Sequence, residues 1–143
     1  MTLPARPGEI LLLHNPRCSK SREAKALLEE ALKARLEERP EARSEESAED
    51  RRLVLSTRLY LEQPLSADEL RELQSRLGRP MLEWTRTREE AFAAAGLSRT
   101  SSEEAVRTAM ARAPSLMERP IVVDAGRAVI GRPPTNVLEL IGD

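Results

Sequence analysis

Ile10-Leu11-Leu12-Leu13-His14-Asn15-Pro16-Arg17-Cys18-Ser19-Lys20-Ser21-Arg22 is the stretch on which the fold turns. Its apolar start, Glu9 to Leu13, is too short for a free helix and reads as a buried strand. Behind it, Ala24, Leu27, Leu28, Ala31, Leu32 and Leu36 repeat at i, i+3, i+4, i+7, which predicts an amphipathic helix from about Ser19 into the high thirties. The residues between form a turn that delivers a helix N-terminus, and this turn carries the only cysteine and the only histidine of the chain. Backbone N–H groups at a helix start lack partners and carry positive partial charge, so they suit an anion or a thiolate. With Arg17, Lys20 and Arg22 close by, the Cys18 thiol is expected to fall from about 8.5 toward roughly 3.5–7.5 and to be nucleophilic near neutrality.

A lone cysteine excludes an intrachain disulfide and any multi-cysteine zinc or iron–sulfur site, so no metal is expected. If Cys18 does redox chemistry, its resolving thiol comes from another molecule. At 143 residues the chain is expected to form a single domain over 1–143 around one core. Lys and Arg number 23 against 24 Asp and Glu, a net charge of -1, which gives no global pull toward nucleic acid or an anionic membrane. The aromatic residues Tyr60, Trp84 and Phe92 lie in separate segments and make no stacking platform for single strands. No apolar run approaches the roughly 18 residues of a membrane span, and the first ten residues lack a signal-peptide pattern. A cytosolic protein with no nucleic-acid or membrane partner is the expectation.

Downstream, Pro40 to Asp50 has no apolar face and reads as a solvated insertion. Leu53, Leu55, Leu59 and Leu61 share one parity and predict a second strand. Ser66 and Glu69 fit a capping box, with Leu65 and Leu70 as its staple, and Leu70, Leu73 and Leu77 form a helical stripe that Gly78 stops. Pro80 opens a short helical turn through Trp84. Arg86 then separates it from a second helical piece, Glu89 to Ala95, ended by Gly96. Ser101 and Glu104 suggest another capping box before a helix from about Ser102 to Arg112. Arg119 to Val123 and Ala128 to Ile130 read as a hairpin around Asp124-Ala125-Gly126, and Arg132-Pro133-Pro134 starts a last helix carrying Val137, Leu138 and Ile141. There is no internal repeat. The order β-α-β, helical insert, β-β-α is that of an α/β, thioredoxin-like, four-stranded mixed sheet flanked by helices, with the insertion between the second and third strands.

The motif His14-Asn15-Pro16-Arg17-Cys18-Ser19-Lys20-Ser21-Arg22 resembles the cysteine loop of the glutaredoxin-linked arsenate reductase family. Tyr60-Leu61-Glu62-Gln63-Pro64-Leu65-Ser66, Glu118-Arg119-Pro120-Ile121-Val122-Val123 and Gly131-Arg132-Pro133 are similar to its later segments, in the same order, so the resemblance covers nearly the whole chain. It implies a Cys18 nucleophile with His14 as a polar or charge partner of the thiolate. It implies an oxyanion held by Arg86, Arg119 and Arg132, with Arg88 as the alternative to Arg86, and a cis peptide at Arg119-Pro120 that shapes the site. Arginine suits the task because its planar fork gives a tetrahedral oxyanion two parallel hydrogen bonds. The activity implied is reduction of arsenate, with no bound cofactor, glutathione as co-substrate and glutaredoxin as partner. The Pro40–Asp50 insertion is longer than the family usually carries.

Other classes fare worse. A low-molecular-weight phosphatase-type reductase needs Cys-x5-Arg, and Ala24 stands in the arginine's place. A redox regulator of the Spx type that binds RNA polymerase would typically carry Cys-x-x-Cys, and Ser21 stands where its second cysteine belongs. The alternatives that remain open on sequence are a glutathione-linked thiol oxidoreductase of the same fold acting on another substrate and, behind it, the Spx-type regulator binding RNA polymerase.

Overall fold

A computed structural model describes residues 3–38 and 53–141. Strand β1 (Glu9–His14) has every side chain after Glu9 buried. Strand β2 (Val54–Leu59) lies parallel to it, with His14 opposite Leu59. On its other side β3 (Ile121–Val123) runs antiparallel, with Leu12 opposite Val122, and β4 (Ala128–Ile130) completes a hairpin with β3. The sheet order is β2-β1-β3-β4. This four-stranded mixed sheet with its helices is the thioredoxin-like arrangement expected.

Burial on both faces explains why β1 reads as an unbroken apolar run instead of an alternating one. Ile10, Leu12 and Val122 face Ala24 and Leu28 of helix α1 (Ser19–Glu38), together with Val137 and Ile141. Leu11, Leu13, Ile121 and Val123 face the opposite layer, built from Leu70 and Leu73 of α2 (Ala67–Leu77), Phe92 of α3 (Glu90–Ala94), and Val106 and Met110 of α4 (Glu103–Arg112). Leu12, Leu13 and Leu28 are fully buried. Each such leucine removed from water contributes about 1.5–3 kcal/mol.

The starts and stops of α2 follow the expected chemistry. Ser66 Oγ accepts from the Glu69 N–H (3.1 Å) while Glu69 Oε1 accepts from the Ser66 N–H (3.0 Å), and Gly78 ends the helix in the left-handed region at φ 67°. Met81–Trp84 forms a short 3-10 turn, and Gly96 (φ 72°) follows α3.

Three expectations need correction, and a fourth falls outside the described residues. The N-cap of α4 is Ser102, which accepts from the Ala105 N–H (3.1 Å); Ser101 is spent one step earlier, accepting from the Ser98 N–H (2.9 Å) to close the preceding loop. Leu61 does not belong to β2: the chain turns after Leu59, where the Leu59 carbonyl accepts from the Glu62 and Gln63 N–H groups, and Leu61 is left exposed. The buried side chains there are of the other parity, Arg58 and Tyr60. The last helix is a 3-10 segment, Pro134–Leu140, and a second cis peptide, Arg132-Pro133, precedes it. The Pro40–Asp50 insertion lies outside the described residues.

Candidate active site

After His14 the chain folds into a tight turn. Asn15 Oδ1 accepts from the Arg17 N–H (3.0 Å), and the Asn15 carbonyl accepts from the Cys18 N–H (3.0 Å). Arg22 braces the turn by donating from Nη1 to the Pro16 carbonyl (2.8 Å), and its N–H makes the first bond of the helix to the Cys18 carbonyl (3.0 Å). Cys18 therefore stands at the N-cap of α1, the position from which a serine or aspartate side chain accepts the N–H groups two and three residues on.

Here the acceptor is sulfur. Burial pushes the half-buried Cys18 thiol up, but hydrogen bonds from the Ser21 and Lys20 N–H groups pull it down. The charge and a hydrogen bond of the Arg119 guanidinium add to that pull, and the thiol ends below its ordinary value. No acidic residue stands in the first turn of α1 to oppose it.

Ser21, which the sequence reading treated only as a missing cysteine, is fully buried and organises the loop. Its Oγ lies 2.7 Å from His14 Nδ1 and accepts from the Asn15 N–H (3.0 Å). Burial, then the Lys25 and Arg22 charges, hold His14 below its ordinary value against a smaller opposing effect of Glu29. The Ser21 hydroxyl can donate to His14 Nδ1 or accept from it, according to the imidazole tautomer. His14 thus reaches the cysteine through Ser21 and the backbone. That bond places His14 as a polar neighbour of the cysteine turn through Ser21.

The arginines come from three distant segments. Glu118 donates its N–H to the Trp84 carbonyl (3.0 Å), and Arg86 donates its own to the Leu116 carbonyl (2.7 Å). With the Thr85–Met117 bridge, this short antiparallel pairing sets Arg86 opposite Leu116, three residues before Arg119. Arg86 Nη2 meets Glu89 Oε2 (3.1 Å), and Nη1 donates to the Ser115 carbonyl (3.2 Å). Arg88 is exposed. It is the Arg86 charge that acts on Tyr60 beside Arg119 and Cys18. The Arg119-Pro120 peptide is cis, as the resemblance implied.

Gly131 secures the far side: its N–H donates to the Pro120 carbonyl (2.8 Å), and a Cβ there would come within 2.7 Å of Pro120 Cγ and 2.9 Å of Val137 Cγ1. Only glycine fits that approach. Next to it, Arg132 Nε donates to the Arg119 carbonyl (3.0 Å) and lies 3.1 Å from Glu118 Oε1.

Tyr60 is a second residue that sequence reasoning missed. It follows β2 at the sheet end where β1 delivers the cysteine turn, and it is buried. Burial pushes its phenol up to about 12; the Arg119 and Arg86 charges oppose this, while Cys18 and Glu118 reinforce it. Its hydroxyl stays a proton donor at neutral pH, in the field of the same groups that define the site. Among the described residues there is no group of three or more His, Cys, Asp or Glu able to hold a metal ion, and no helix long and apolar enough to cross a membrane.

A cysteine at the start of the first helix, beside a mixed four-stranded sheet and an arginine that precedes a cis-proline, is set in a thioredoxin-like fold. The comparisons with known proteins narrow this. The uncharacterized protein YfgD of Escherichia coli K12 is 41% identical over 136 residues, covering 94% of this chain and 98% of its own. An arsenate reductase of Haemophilus influenzae is 31% identical over 134 residues, covering 92% and 98%. The solved arsenate reductase from Vibrio cholerae superposes with a TM-score of 0.71 at 35% identity, covering 94% of this chain and 98% of that one. The ArsC family model matches residues 13–140, and the chain belongs to the ArsC family.

Proposed function

We propose that the protein reduces arsenate to arsenite, with the Cys18 thiolate as nucleophile, glutathione as co-substrate and glutaredoxin as the partner that resets the cysteine. The observation that carries the reading is the state of Arg119. Its charge acts on the Cys18 sulfur and draws that thiol down, while its buried Nε has no hydrogen-bond partner among the described residues. A buried donor without an acceptor costs about 1–3 kcal/mol, and an oxyanion beside the sulfur would supply the acceptor. Arg86 and Arg132 stand ready to share its charge.

In the proposed cycle Cys18 Sγ attacks arsenic, a sulfur–arsenic bond forms and a protonated oxygen leaves as water. Tyr60, held protonated in the field of Arg119, Arg86 and Cys18, is the donor we assign to that oxygen. Glutathione thiolate then attacks the Cys18 sulfur. The sulfur–arsenic electron pair returns to arsenic, which goes from As(V) to As(III), and Cys18 becomes a mixed disulfide with glutathione. Glutaredoxin thiolate attacks the glutathione sulfur and frees Cys18 as thiolate. Two thiols are oxidised and one arsenate is reduced, so electrons balance, and a lone cysteine suffices because the second thiol is external. Dependence on glutathione fits a reducing, cytoplasmic setting. A coupled assay with glutathione, glutaredoxin, glutathione reductase and NADPH tests this: NADPH consumption should appear only with arsenate and vanish in Cys18→Ser. A glutathione adduct on Cys18 should be seen by mass spectrometry when glutaredoxin is left out.

One observation favours a second reading. Glu118 and Glu89 already neutralise part of the arginine charge, which suits a glutathione-linked thiol oxidoreductase acting on a less charged substrate. NADPH consumption driven by a mixed disulfide and indifferent to arsenate would select it. Regulation through an intrachain Cys-x-x-Cys is ruled out by Ser21, whose hydroxyl is bound to His14.

A further inference from the structure

The arginines of the site do not hold themselves in place, and one carboxylate oxygen touches two of them. Glu118 Oε1 accepts from the Arg119 N–H (3.2 Å), lies 3.7 Å from Arg119 Nη1, and lies 3.1 Å from Arg132 Nε. Arg132 Nε is committed to Oε1 and to the Arg119 carbonyl together, so among the described residues its terminal nitrogens carry no hydrogen bond. Glu118 is itself fixed from behind by its N–H bond to the Trp84 carbonyl, the same pairing that seats Arg86. A guanidinium on a flexible stem loses rotamer freedom when it binds, and a prior partner on its Nε edge removes that cost before an anion arrives.

We propose that Glu118 is the positioning residue of the oxyanion site. Its Oε1 aligns Arg119 and Arg132 as one rigid unit over the Cys18 thiol, so that they meet a tetrahedral oxyanion with their uncommitted nitrogens. The carboxylate does not touch substrate and acts through the two arginines. The proposal rests on the reading of the site as an arsenate-binding site, and it deepens that reading by naming what preorganises it.

The test compares Glu118→Gln, which keeps an oxygen acceptor of the same length, with Glu118→Met, which keeps the length and loses the acceptor. The readout is protection of Cys18 by arsenate against alkylation with iodoacetamide, which does not require turnover, and alongside it the arsenate KM and kcat of the coupled assay. Glu118→Met should weaken protection and raise KM by about tenfold or more, the scale of losing a charge-assisted hydrogen bond, with kcat changed far less. Glu118→Gln should recover most of that loss. In an Arg132→Ala background Glu118→Met should cost clearly less than it does in wild type, because one of the two arginines it aligns is gone. Arsenate protection of Glu118→Met equal to wild type, a loss in Glu118→Gln as large as in Glu118→Met, or full additivity with Arg132→Ala would each overturn the proposal. So would a wild-type Cys18 that arsenate does not protect. Protection without arsenate-dependent turnover would sink the reductase reading alone and leave the positioning role standing.

Discussion

Two helix starts in this molecule are built on the same backbone plan and do different things. At α2, Ser66 accepts the N–H three residues on, Glu69 answers with its own carboxylate, and Asp68 adds a second acid in the first turn. At α1, Cys18 occupies the equivalent position and takes the Lys20 and Ser21 N–H groups, with no acid in the first turn and Arg119 reaching in from across the sheet. An oxygen cap among carboxylates uses up the positive end of the helix and yields only stability. A sulfur cap without them leaves that positive end to stabilise a thiolate, and the same four backbone donors become a site.

The most drastic way to break the contrast is Cys18→Ser, which turns the first start into a copy of the second. Turnover should fall to background while the helix remains capped, and alkylation should disappear. The Cys18 thiol is lowered in the folded state, so its stabilising effect is complete above the ordinary thiol value and is lost as pH falls through the folded value. The stability gap between wild type and Cys18→Ser in urea titrations should therefore widen with rising pH over that window and then level off.

Ser21→Ala leaves the helical N–H on the sulfur but strips the buried hydroxyl from His14 Nδ1 and the Asn15 N–H. Unsatisfied buried partners predict a loss of about 1–3 kcal/mol in urea unfolding. Ser66→Ala, by contrast, removes a cap on the surface; about 1 kcal/mol of stability should go, with the alkylation rate of Cys18 unchanged. The smallest effect is expected from His14. Its folded value is lowered, so its neutral form favours folding fully above about 6.5 and that advantage is lost as pH falls through the folded value. His14→Gln should show a shallower stability loss than wild type below that point.

The contrast also shows what a sequence carries on its face. The Cys18 turn and the Ser66 box are local: strand, basic turn and leucine spacing lie within a few residues, so the loop, α1, α2 and the order of elements along the chain could be read directly. What depended on distant partners could not. Tyr60 stands on the parity opposite the leucines and gains its meaning from Arg119 and Arg86, both far along the chain. Arg58 is buried because Glu69 and the carbonyls of Gln63 and Pro64 surround its guanidinium, which no strand pattern announces. Two adjacent serines each had an acceptor role, and only the three-dimensional loop decides that Ser102 caps α4 while Ser101 ties back to Ser98. Glu118 was visible as part of a motif, yet its hold on Arg119 and Arg132 is a property of the packed site.

The central claim is that the α1 start draws the Cys18 thiol below its ordinary value and so favours the thiolate. The direct measurement is the rate of Cys18 alkylation by iodoacetamide across pH, with thiolate absorbance followed in parallel. The account predicts one titration with its midpoint clearly below that of a free cysteine, moved upward when Arg119 is replaced by alanine. A midpoint at or above that of a free cysteine, unmoved by Arg119→Ala, would contradict it.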